Sequence, residues 1–105
     1  MQPLRIDFEA IPWESPAPGF RVKAYRAGGK QIRLLEFTPA FVEPEWCGAG
    51  HFGVVLEGSI AVDFHGETVV YGPGDGVFIP AGERGGHKAR ALTPAVRLML
   101  VEDHA

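Results

Sequence analysis

The chain holds a single cysteine, Cys47, so no internal disulfide can staple it. Its stability has to come from a packed core, a bound metal or association with another copy. No apolar run approaches the roughly 20 residues that cross a bilayer, and the opening residues lack both a basic stretch and an apolar one. No membrane association is expected, and the chain reads as soluble and cytoplasmic. Basic charge is not in excess: ten Lys and Arg stand against thirteen Asp and Glu, and no basic run could track a phosphate backbone. Nucleic acid is therefore not an expected partner. No segment of ten or more residues carries a sustained i, i+3, i+4 apolar stripe, which removes parallel β-α-β architectures. Finally, 105 residues leave no room for a second substrate or cofactor domain.

What is present is a globular balance, 46% hydrophobic and 22% charged, which predicts a packed core rather than disorder. Fourteen glycines and nine prolines are scattered as turn punctuation between short alternating runs. Leu4, Ile6 and Phe8 alternate with polar neighbours and predict an opening strand. The proline-rich stretch after it reads as an arm around Trp13. Residues 20–26 and 30–37 predict a hairpin closed by Gly28-Gly29. Strands follow at 51–57, 59–64, 67–71, 77–80, 84–90 and 96–101, and the closing VEDHA reads as a polar tail. About nine strands without helices predict an all-β antiparallel sandwich or barrel.

Two segments, 46–58 and 74–90, carry residues with chemistry. Gly74, Pro80 and Gly82 fit the pattern G-x5-P-x-G, and Gly58 ends a second pattern. In both the chain resembles the cupin family, over roughly residues 30–101. The resemblance implies a jelly-roll barrel, or double-stranded β-helix, as one cupin domain over residues 1–105. Residues 1–29 would supply N-terminal strands and an arm, and 30–101 the barrel core with both motifs. The family's His, His, Glu ligand positions fall here on Glu45, Cys47 and His51, and its fourth position falls on Gly85, with His87 the nearest histidine. The resemblance thus implies a metal site drawn from Cys47, His51, His87 and Glu45, no organic cofactor, and oxygenase or isomerase chemistry on a small molecule.

The residues themselves add conditions. Cys47 and His51 would lie about 13 Å apart on a straight strand, so the chain must bend between them. Gly48-Ala49-Gly50 permits a tight turn through positive φ. Glu45 shares a face with Cys47 on an extended segment. If His87 points inward, Gly85, Ala89 and Ala91 share its face and leave cavity space, while Lys88 and Arg90 face water. A thiolate with two imidazoles favours Zn, Fe, Ni or Cu over Mg or Ca and leaves a coordination position open.

Each of these residues also has a plainer reading. A lone Cys is often a small hydrophobe, a histidine often bonds a carbonyl, and Glu45 after Pro44 is often solvated. His65 and His104 read as solvated and Glu57 as exposed, whereas Arg84 could fold over the barrel mouth to meet an anion. No separate general base is visible. With His51 inward, Phe52, Val54 and Leu56 point outward and need cover, for which a homodimer or the Trp13 arm would serve. The expected function is a metal-dependent enzyme on a small organic ligand. The alternative is a non-catalytic module binding a sugar or anion, with a structural metal or none.

Overall fold

Alternating side chains and frequent breakers yield nine strands among the residues described by the computed structural model, 4–104. They are β1 (Glu14–Ala17), β2 (Phe20–Ala27), β3 (Lys30–Phe37), β4 (His51–Glu57), β5 (Ile60–Phe64), β6 (Glu67–Tyr71), β7 (Gly76–Ile79), β8 (His87–Ala91) and β9 (Val96–Asp103). All pairs are antiparallel. A six-stranded sheet runs β1-β2-β3-β9-β4-β7, and a three-stranded sheet runs β6-β5-β8. Val22, Leu35, Val55 and Leu98 of the large sheet pack with Ile60, Val62 and Phe64 of the small one in a single core, giving the jelly-roll architecture. Among the described residues no helix is long and apolar enough to cross a membrane.

The predicted hairpin is complete, from Phe20 opposite Phe37 to Ala27 opposite Lys30. Gly28 and Gly29 close it at φ 59° and 75°, the left-handed pair that matches strand twist in a two-residue turn. On β3 and β9 the inward partners are Phe37 with Val96, Leu35 with Leu98, Arg33 with Leu100 and Gln31 with Glu102. Apolar pairs therefore occupy one end of the barrel and polar pairs the other.

Four expectations are corrected. Leu4–Phe8 is not a strand: Phe8–Ala10 forms a 3-10 turn, with the Asp7 carboxylate accepting the Glu9 N–H. The strand lies later, at Glu14–Ala17, where Pro16 is tolerated because β1 is the sheet edge and its register shifts across the proline. Second, the strand expected from 84 begins at His87. Gly82, Arg84, Gly85 and Gly86 all have positive φ, so the chain turns through Glu83–Gly85 and cannot extend there. Third, Gly48 and Gly50 bend the chain without positive φ. Gly50 sits where space is tight, since a Cβ there would lie 3.0 Å from the Ala81 nitrogen. Fourth, of the expected VEDHA tail residues 101–103 belong to β9, which continues to Asp103, and Glu102 is only 8% exposed; Ala105 lies outside the described residues.

Candidate metal centre

Two backbone hydrogen bonds place the first pair of candidate ligands. Cys47 N–H donates to the His87 carbonyl at 2.8 Å, and His87 N–H returns to the Cys47 carbonyl at 2.9 Å. Residues that exchange both bonds stand directly opposite on one face of an antiparallel pair, so thiol and imidazole emerge side by side. The following turn is pinned by the Gly82 N–H donating to the Gly48 carbonyl at 2.8 Å. It delivers His51 to the start of β4, opposite Ile79.

The Cys47 sulfur and one ring nitrogen each of His51 and His87 lie within 4.8 Å of one another, a group that could hold a metal ion. Cys47 Sγ is 3.7 Å from His51 Nε2. A tetrahedral zinc with bonds of about 2.3 Å to sulfur and about 2.0–2.1 Å to nitrogen keeps those two donors about 3.6 Å apart, so this edge of the site fits. The rings of His51 and His87 meet edge-on with centroids 5.0 Å apart. Burial, and then the charge of His51, push the His87 pKa below its ordinary value, which favours the neutral ring a metal requires. Glu45, expected as a further donor, is exposed and outside this group.

Glu102 is the residue that sequence reasoning missed. Its carboxylate accepts from His51 Nδ1, from Arg33 Nε at 2.6 Å and Nη2 at 2.7 Å, and from Gln31 Nε2 at 2.7 Å. A proton on His51 Nδ1 leaves the Nε2 lone pair facing Cys47, the tautomer for metal binding. Burial alone would raise the Glu102 carboxyl, but the His51 and Arg33 hydrogen bonds and charges outweigh it and bring it down to about 2. The signal was available: Val96, Leu98 and Leu100 alternate inward, and the same period places residue 102 inward.

Glu43 is the second omission. It lines the cavity with Cys47, His51 and His87, and its Oε1 accepts the Ala89 N–H at 2.8 Å. Burial raises its carboxyl above the ordinary range. The proline-bounded loop around it has no alternation that could have marked it as inward. The cavity has a volume of about 200 Å³ and runs between the sheets, with Ala89 among its walls as expected. Gly85 instead lies in the preceding turn, against the His65 ring. Arg84 pairs with Glu67 and, at 3.3 Å, with Glu83. His65 is exposed but leans on Trp46, ring centroids 3.9 Å apart.

A family model described as a cupin domain matches residues 43–101. No curated protein matches the chain. Among solved structures, KdgF from Halomonas sp. superposes with a TM-score of 0.72 at 23% identity, over 89% of this chain and 87% of that one. A sugar phosphate isomerase of the cupin superfamily from Silicibacter pomeroyi gives 0.78 at 18%, over 96% and 76%. The polyketide cyclase RemF from Streptomyces resistomycificus gives 0.76 at 23%, over 99% and 81%. At these identities the likeness is one of fold.

Proposed function

This chain belongs to the cupin family, and from that premise we propose that Cys47, His51 and His87 hold one divalent transition metal, Zn, Fe, Ni or Cu, beside a small-molecule site in the barrel. The observation that carries the reading is the convergence of three donor atoms on one cavity wall, one of them oriented by a buried carboxylate. Bound there, the metal would supply a Lewis acid with an open coordination position. The proposed activity is of the oxygenase or isomerase type on a small organic molecule.

The chain's own residues have separate tasks in this reading. Glu102 orients His51, and Arg33 holds Glu102. The apolar walls exclude water, which strengthens every electrostatic contact inside. Glu43 is the group available to hold or move a proton at a ligand oxygen, since burial moves its pKa toward neutral pH. A free thiol at Cys47 suits the reducing cytoplasm. We propose also that the chain works as a homodimer. The support is an outer sheet face on which Phe52 and Phe78 touch edge-on and lie beside Val101, with Phe78 77% exposed.

Elemental analysis of untagged protein tests the metal. One equivalent is expected in the wild type, and its loss in the Cys47→Ser, His51→Ala double variant. Metal retained by that variant overturns the assignment. Glu45→Ala should leave the metal content unchanged. Turnover separates an enzyme from a binding module: a metal-loaded protein that converts none of a panel of small phenols and acids favours the module.

A further inference from the structure

Polarity is sorted along the barrel by strand register. On the large sheet the inward pairs Phe37–Val96 and Leu35–Leu98 give way to Arg33–Leu100 and Gln31–Glu102. On the small sheet Ile60–Ala91 and Val62–Ala89 give way to Phe64–His87. The polar ends of both series meet where Cys47, His51 and His87 gather. At the other end Phe20, Phe37 and Phe41 form an aromatic cluster with centroids 4.9–5.3 Å apart, and all three line the cavity. A ligand in this space meets hydrocarbon along most of its length, with Tyr71 the polar side chain beside Ile60, and finds the charged and metal-capable groups at one tip.

Size and charge narrow its class. The cavity, about 200 Å³, exceeds the ~150 Å³ that admits benzene and falls short of the ~300 Å³ at which sites for drug-sized molecules begin. That volume matches one substituted ring. Among the described residues Arg33 is the only lysine or arginine in the lining, and two of its nitrogens are committed to Glu102. No second side-chain cation lines the cavity among the described residues to clamp a phosphate beside the metal. Sugar hydroxyls laid along the apolar walls would lose water without replacement, at about 1–3 kcal/mol each. A single hydroxyl at the polar tip has partners, the Glu43 carboxyl and the three donor atoms.

We infer that the barrel takes a small phenol or enol, one apolar ring whose single hydroxyl oxygen sits at the Cys47–His51–His87 end beside Glu43, and that it rejects sugar phosphates. The head-group contact rests on the metal reading above; the ring-sized apolar compartment does not.

Calorimetric titration of 4-methylphenol, toluene and ribose 5-phosphate into chelator-treated and zinc-loaded protein tests this. 4-Methylphenol should bind both forms, about tenfold more tightly with zinc, and about tenfold more tightly than toluene, the value of one buried hydrogen bond. Ribose 5-phosphate should give no saturable heat. Ala89→Leu, which fills the compartment, should weaken 4-methylphenol at least about tenfold at unchanged zinc content; should that variant fail to fold, the toluene comparison in the wild type carries the test. Zinc uptake without 4-methylphenol binding, or preference for ribose 5-phosphate, overturns the inference and leaves the metal reading standing. Binding of 4-methylphenol by a protein that takes up no zinc supports the ring-sized compartment and removes the metal reading.

Discussion

Glu102 holds a charge in nearly buried surroundings because His51 and Arg33 meet it there. Its folded pKa of about 2 lies below the unfolded value of roughly 4.3. The stabilisation is therefore complete above about pH 4.3 and is lost as pH falls through about 2, an effect on the order of 3 kcal/mol. Urea unfolding of metal-free protein between pH 7 and 2 should show this loss. Glu102→Gln should be less stable at pH 7 and flatter across the window, because it removes the group that titrates. The same variant should weaken zinc binding about 10–100-fold, measured by competition with a chromogenic chelator, since His51 loses the partner that orients it. A second residue acts through space alone. A Cβ on Gly53 would lie 1.8 Å from the Met99 carbonyl oxygen across the β4–β9 pair, so Gly53→Ala should cost about 3 kcal/mol or more in chemical denaturation. Cys47, His51 and His87 were readable as candidates because their types and spacing are chemically uncommon. Glu102 went unread although the period of β9 points it inward, because a charged residue in a polar-looking terminus hides that position, which pairing with β3 enforces.

At the scale of elements, alternation identified a run reliably where a neighbouring strand was available to pair with it. The hairpin β2–β3 and the series β4 to β7 follow the pattern closely, whereas Leu4–Phe8 alternates and still forms no strand. Pairing partners, not period, decide such cases, and the edge place on this sheet went to the proline-bearing β1. The arm before it has a different task. The Trp13 ring lies 4.1 Å from the Arg21 guanidinium and 4.9 Å from Lys23 Nζ, and Lys23 also donates to the Phe8 carbonyl. The arm thus covers the β2 side of the outer face with cation–π contacts. Trp13→Ala should destabilise by about 1 kcal/mol, seen as a few degrees in thermal unfolding, with metal content unchanged.

At the scale of the molecule, the arm leaves the β4–β7 side of the outer face open, where Phe52, Phe78 and Val101 are exposed. Phe78→Glu should convert a dimer to a monomer in sedimentation velocity while preserving zinc uptake, because the residue faces away from the cavity; a wild type that sediments as a monomer would remove the dimer. The fold class was legible because nine short strands without helices admit few architectures. Which part of the outer face the arm covers was not, since it depends on which strands become neighbours. Strand β9 joins these levels. It lies between β3 and β4, carries Leu98 and Leu100 into the core and Glu102 to His51. A one-residue slip against β3 would turn all three outward at once. Assembly of the site is thereby proofread by the packing of the barrel: a chain misaligned here would lose its hydrocarbon interior together with the support for its histidine, so the proposed metal uptake would double as a reporter of a correctly docked last strand.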